Sequence, residues 1–173
     1  MRYFIFLFAL LFASSGHSNT HCTQDEKTYF SCPAHGKTIS VCGSNNIKGE
    51  SAYIQYRFGV IGKVELAYPN DKNNSFNKFS KHFYSGSSGT WQKTLTFSNG
   101  LYKYAIFQGA TLPTGDFFGG VAVTQDSADI CSIEDSTKLF IVNCDSDSEK
   151  RSRSQIRLVI PESIPENDSS CFF

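Results

Sequence analysis

Two stretches alternate apolar and polar residues with a period of two, and they anchor the reading of the rest. In AYIQYRF the set Ile54, Tyr56, Phe58 alternates with Tyr53, Gln55, Arg57, and in KVELAY the set Val64, Leu66, Tyr68 alternates with Glu65 and Ala67. This period marks strands with one face on a core. With both sets on one face, Phe58 is expected opposite Val64, Tyr56 opposite Leu66 and Arg57 opposite Glu65, since a slip of one residue would turn either set to water. Gly59 and Gly62 suit a short bulged hairpin loop. TLTFSNGLYKYAIF repeats the pattern about Asn99-Gly100, a dipeptide that accepts positive φ at both central positions of a tight turn. There Phe97 is expected opposite Tyr102 and Leu95 opposite Tyr104.

Weaker runs extend the same picture. TYFSC turns at Pro33-Ala-His-Gly into KTISVC; GGVAV, KLFIVNC and QIRLVI read as further strands, with DICSI entered from a turn. Residues 70–90 are rich in Asn, Lys and Ser, and the spacing of Phe76, Phe79 and Phe83 admits either a short helical turn or a loop pinned by aromatics. No amphipathic helix of ten residues and no repeat is present. Short strands about ten residues apart predict an all-β fold: a single-domain antiparallel sandwich or barrel over residues 19–173, with a polar insert near 70–90.

The first 18 residues change the compartment. Met1-Arg2, the apolar run YFIFLFALLFA and the small or polar SSGHSNT have the layout of a secretory signal peptide, too short to span a bilayer. Cleavage after Gly16 or Ser18 starts the mature chain near Asn19 and leaves about 155 of the 173 residues. Its net charge of about −1 gives no pull toward nucleic acid. All six cysteines, Cys22, Cys32, Cys42, Cys131, Cys144 and Cys171, follow the cleavage site, and an even number in an exported chain points to structural disulfides. The first three are expected to pair among themselves or with the C-terminal ones, leaving none free. A periplasmic or secreted location follows, without stable membrane insertion once the leader is removed.

Residues 39–44 (ISVCGS), 53–59 (YIQYRFG), 65–69 (ELAYP), 97–100 (FSNG) with Tyr102 and Tyr104, and 120–123 (GVAV) together resemble a family of small exported bacterial proteins with no established function. The resemblance spans roughly residues 39–123. It implies a bacterial, periplasmic origin and a β-rich fold, and carries over no catalytic residue, cofactor or partner.

Candidate chemistry is sparse. His21, His35 and His82 stand at no ligand spacing, no CxxC occurs, and the ten-residue cysteine spacings match no zinc knuckle, so no metal or cofactor is expected. Ser85-Gly-Ser-Ser-Gly89 is not the GxSxG elbow. Glu134, Asp135, Asp145 and Asp147 read as a solvated acidic face; a glycosidase would need two carboxylates about 5 to 9.5 Å apart in a cleft. The chain is therefore expected not to be an enzyme, with a secreted hydrolase as the rival class. Two groups are candidates for binding. Tyr53 and Arg57 lie on the outward face of the central strand, where Glu65 would make an ordinary surface ion pair with the arginine. Tyr84 and Trp91 bracket Ser85, Ser87 and Ser88, so aromatic anchors flank adaptable hydrogen-bonding groups; the plainer alternative is a hairpin connection with Trp91 in the core. The expected function is binding of another component of the cell envelope, the alternative an inhibitor or immunity protein acting on a cell-wall hydrolase or toxin.

Overall fold

The structure, a computed structural model, describes residues 20–112, 114–125, 129–133, 135–144, 157–167, 171 and 173. The leader, Glu134, Asp145 and Asp147 lie outside them. Among the described residues nine strands form two antiparallel sheets. The first carries β1 (Glu26–Ala34), β2 (Lys37–Ser44), β3 (Ile54–Val60) and β4 (Lys63–Tyr68) in sequential order. The second carries β5 (Ser80–Ser85), β6 (Trp91–Asn99), β7 (Tyr102–Thr111), β8 (Asp116–Thr124) and β9 (Phe140–Asn143), again in sequential order. Two meanders face each other as a sandwich that does not close into a barrel. The only helical pieces described are 3₁₀ turns, at Ser75–Lys78, Ile130–Ser132 and Ser136–Lys138.

Both anticipated hairpins form, each displaced from the expected register by two residues. Tyr56 pairs with Tyr68 and Phe58 with Leu66, so Arg57 lies opposite Ala67 rather than Glu65. A bulge after Phe58 puts Gly59 at φ +150°, and a Cβ there would lie 2.4 Å from the carbonyl oxygen of Lys63. In the second hairpin Phe97 pairs with Tyr104 and Leu95 with Ile106. The turn is Gly100-Leu101, with Gly100 alone at φ +61°, so glycine takes the first central position instead of the second.

The insert of residues 70–90 is half structural: after the 3₁₀ turn it becomes β5, an edge strand paired along its length with β6. Phe79 is buried there while Phe83 stays exposed. KLFIVNC yields only the short, mostly exposed β9. Of QIRLVI, the described residues 157–160 form no strand; they hook onto the sheets through Val159 N donating to Tyr29 O at 2.8 Å and Leu158 N to Gln108 Oε1 at 2.6 Å.

Alternation sorts the side chains into layers. Between the sheets, Phe97 stacks on Tyr104 (centroids 4.6 Å apart) and Tyr68 (4.5 Å), with Tyr56 and Phe79 tilted against it at 5.1 and 5.5 Å. The opposite face of the second sheet carries a smaller cluster, Ala105, Phe107, Ala122 and Ile130, on which Leu139 and Phe173 pack. Disulfides hold these layers. Cys22–Cys42 straps the N-terminal segment over the outer face of the first sheet, Cys32–Cys144 joins the two sheets, and Cys131–Cys171 fastens the C-terminus over the smaller cluster.

Candidate apolar cleft at the open end of the sandwich

The core does not close at the end of the sandwich where the β3–β4 and β6–β7 hairpins turn. A cleft of about 420 Å³ opens there between the sheets. Tyr56 from β3 and Val121 from β8 lie deepest and are buried. Phe58 and Leu66 line it from the first sheet, and Tyr104, Val123 and Val142 from the second; all five are half-buried. At the mouth stand Tyr102 and Phe140, exposed by 45% and 69%, with exposed Gln125 and Lys138, while Thr124 beside them is buried. Phe58, Leu66, Tyr104, Val123 and Val142 continue the alternating sets of their strands next to buried Tyr56 and Val121, but are themselves only partly covered. Val60, Ile61 and Val64 at the β3–β4 turn and Leu101 at the β6–β7 turn are exposed at the same end. Apolar residues scattered singly over a surface are ordinary; gathered around a concavity they mark a binding surface.

The lining is chemically simple. Among the described residues that line it, the one charged side chain is Lys138 and none is His, Cys, Asp or Glu. Burial pushes the Tyr56 hydroxyl far above the ordinary phenol range, with the Tyr104 hydroxyl adding to the effect; burial raises Tyr104 as well, helped by Tyr102. These phenols stay neutral at any physiological pH. A second cation stands at the rim, where Lys37 Nζ lies 5.1 Å from the centroid of the Phe58 ring and 2.6 Å from Glu65 Oε2. The cleft therefore offers desolvation, aromatic contact and a few donors.

The residues singled out from sequence lie elsewhere, in two separate places. Arg57 is buried under the N-terminal strap. Its guanidinium donates to both carboxylate oxygens of Glu26, at 2.7 and 2.6 Å, to His21 O at 2.8 Å and to Gln55 Oε1 at 2.9 Å. Tyr53 donates its hydroxyl to the same carboxylate while Lys72 Nζ sits 4.2 Å above its ring. Burial opposes ionisation of Glu26, but the hydrogen bonds from Arg57, Tyr53 and Thr23 N and the guanidinium charge outweigh it and hold the carboxyl at about 2. This cluster is internal scaffolding: Glu26, 31 residues from Arg57, takes the place expected for Glu65, which pairs with Lys37 instead.

Tyr84, Ser85, Ser87, Ser88 and Trp91 form the β5–β6 connection at the other end of β6 from the cleft. Gly86 N donates to Thr90 O at 2.8 Å and Gly89 N to Gly86 O at 3.1 Å, so the tip is ordered while Ser87 and Ser88 are exposed. Tyr84 is half-buried. Trp91 is half-buried too, and meets Phe117 edge-on at 6.4 Å.

Buried His82 lies 3.7 Å from Cys131 Sγ beside the Cys131–Cys171 bridge. These three are the one group among the described residues that could gather ligand atoms around a metal, but sulfurs joined to each other are not thiolate ligands. Asp135 is exposed and accepts from Thr137 N and Thr137 Oγ1 at 3.0 and 2.6 Å, which lowers its pKa.

Sequence reasoning passed over the cleft because Tyr56, Phe58, Leu66, Tyr102 and Tyr104 read as core. The available signal was surplus: apolar alternation runs to the ends of both hairpins, including Val60, Ile61 and Leu101, where a closed core would not need it. Comparison of the chain with protein-family profiles, curated proteins and solved structures finds no match.

Proposed function

We propose that this protein is an exported, non-enzymatic binding domain whose ligand enters the cleft between the ends of the two sheets. One observation carries the reading: an open cleft of about 420 Å³ lined almost wholly by apolar and aromatic side chains, on a frame held by three disulfides. Small-molecule sites have this character, with volumes of about 300 to 1,000 Å³, mostly apolar walls and a few polar groups at fixed positions. A stapled sandwich loses little conformational freedom when its cleft is filled, so more of the burial energy appears as affinity. Among the described residues no helix is long and apolar enough to cross a membrane, and the three disulfides are compatible with life outside the cytoplasm.

Titration of isotopically labelled protein with dodecan-1-ol, an uncharged apolar probe, tests the reading by NMR. Shifts are expected at Tyr56, Tyr104, Val121 and Val123, and Phe140→Asp, at an exposed position, is expected to weaken them. Absence of saturable shifts at these residues would remove the cleft from consideration. A second reading, an inhibitor or immunity protein presenting the β5–β6 connection, draws support from the ordered tip with Ser87 and Ser88 exposed between half-buried Tyr84 and Trp91. It requires a protein captured from envelope extracts to be lost when Ser87 and Ser88 are replaced by bulky residues.

A further inference from the structure

A hollow of about 490 Å³ lies where β5 starts and the β6–β7 hairpin turns, and its chemistry is the opposite of the cleft's. Tyr68, half-buried and stacked on Phe97 with centroids 4.5 Å apart, gives it an aromatic wall. Polar side chains from separate parts of the chain complete the lining: Asn77 in the 3₁₀ turn before β5, Ser80 in β5, Ser98 in β6, and Asp129 and Asn167 outside the strands. These parts are held in place. Ile54 N donates to Ser75 Oγ at 2.8 Å, fixing the 3₁₀ turn; Asn167 N donates to Lys81 O at 3.0 Å and Lys81 N to Pro165 O at 2.9 Å, fixing the last segment to β5; and Asp129 Oδ1 accepts from Cys131 N at 3.1 Å.

The lining selects among ligand classes. An apolar molecule would strip water from amides and hydroxyls without replacing its hydrogen bonds. An ion of either sign would meet its like, because the ammonium of Lys78 and the carboxylate of Asp129 both face the hollow. The lining suits a neutral molecule that gives and accepts hydrogen bonds along its edge and lays an apolar face on a ring. Each hydroxyl of a pyranose is both donor and acceptor, which matches the amide of Asn77 and the hydroxyls of Ser80 and Ser98, while the C–H face of the sugar can pack on Tyr68. The volume lies within the range of small-molecule sites. Independently of the cleft reading, we infer that this hollow is a second binding site, for a short neutral saccharide.

NMR titration with cellobiose, maltose, lactose and N,N′-diacetylchitobiose tests the assignment. Saturable shifts are expected at Asn77, Ser80 and Ser98 with at least one of these sugars. Asn77→Ala, at an exposed position, is expected to weaken that sugar's binding roughly three- to tenfold, as the loss of one hydrogen bond gives. Ser98→Trp, also at an exposed position, fills the hollow and is expected to abolish binding while the rest of the spectrum stays that of the folded protein. Ser87→Trp, at the other end of β6, is expected to leave it unchanged. No saturable shift with any of the four sugars refutes the site, and so do shifts that survive Ser98→Trp. Capped trialanine binding at the same residues more tightly than every sugar would assign the hollow to a peptide and overturn the proposal. Dodecan-1-ol added to the same sample reports separately on Tyr104 and Val123, so loss of the saccharide site leaves the cleft reading standing, and loss of the cleft leaves this one.

Discussion

Arg57 and Glu26 show how a pair of residues is governed by its surroundings. Both side chains are nearly out of water, 10% and 5% exposed, and each is satisfied by more than its partner: Arg57 by His21 O and Gln55, Glu26 by Tyr53 and Thr23. Removing one member of such a pair leaves the other charge buried, so Arg57→Ala is expected to cost about 3 to 5 kcal/mol in chemical denaturation, far more than an exposed ion pair would. Glu65→Ala, which breaks the solvent-exposed contact to Lys37, is expected to cost less than about 1 kcal/mol in the same measurement. The pH dependence follows from the lowered Glu26 pKa. The unfolded chain takes up a proton near its ordinary value of 4.5 and the folded protein only near 2. This contribution is thus fully present above about pH 5 and is lost as pH falls through 4.5 toward 2. Denaturation midpoints should be flat with respect to this group from neutrality to pH 5 and fall below it, and Glu26→Gln should flatten that acid limb.

At the scale of elements, the disulfides divide the work by the length of chain they close. Cys22–Cys42 spans 20 residues, Cys131–Cys171 spans 40 and Cys32–Cys144 spans 112. Cross-linking restricts the unfolded chain more for longer loops, roughly from 3 to 5 kcal/mol over this range. Double replacement by alanine is therefore expected to destabilise in the order Cys32/Cys144, then Cys131/Cys171, then Cys22/Cys42, as read from urea midpoints. The bridge between the sheets also acts locally. Cys144 directly follows β9, a four-residue edge strand with two exposed large apolar side chains, and Cys144 N donates to Gly119 O at 2.8 Å. Loss of this bridge should release β9 and with it the Phe140 side of the cleft, so the Cys32/Cys144 variant should bind dodecan-1-ol less well than the other two.

Over the whole molecule, the two sheets share one core. Tyr56 and Tyr68 from the first interlock with Phe97 and Tyr104 from the second, so neither sheet keeps its buried face without the other. Urea unfolding of the oxidised protein is expected as one transition, with near-ultraviolet dichroism from the aromatic cluster and far-ultraviolet dichroism from the strands coinciding. Separate midpoints would mean that the sheets unfold independently. The same arrangement explains why the cleft exists. A meander facing a meander closes its core only where strands of both sheets overlap, and at the β3–β4 and β6–β7 turns the apolar faces extend past that overlap.

Alternation along the chain was enough to identify the two central hairpins, to place Ile54, Tyr56 and Phe58 on the core and Gln55 and Arg57 on the opposite face, and to choose an all-β fold. It was not enough for register. A pattern of period two is unchanged by a shift of two residues, so Tyr56 facing Leu66 and Tyr56 facing Tyr68 satisfy it equally. The bulge at Gly59 and the Gly100-Leu101 turn decide between them. For the same reason β5 was hidden: its edge position leaves Phe83 exposed and buries His82, a pattern that local polarity does not signal. Six cysteines behind a leader-like N-terminus pointed to bridges, but pairing depends on which Cβ atoms the folded sheets bring within reach. The Glu26–Arg57 pair and the cleft belong wholly to tertiary structure. One joins strands 31 residues apart in sequence, and the other is defined by where two sheets cease to overlap, a relation between distant strands that no local run of residues contains.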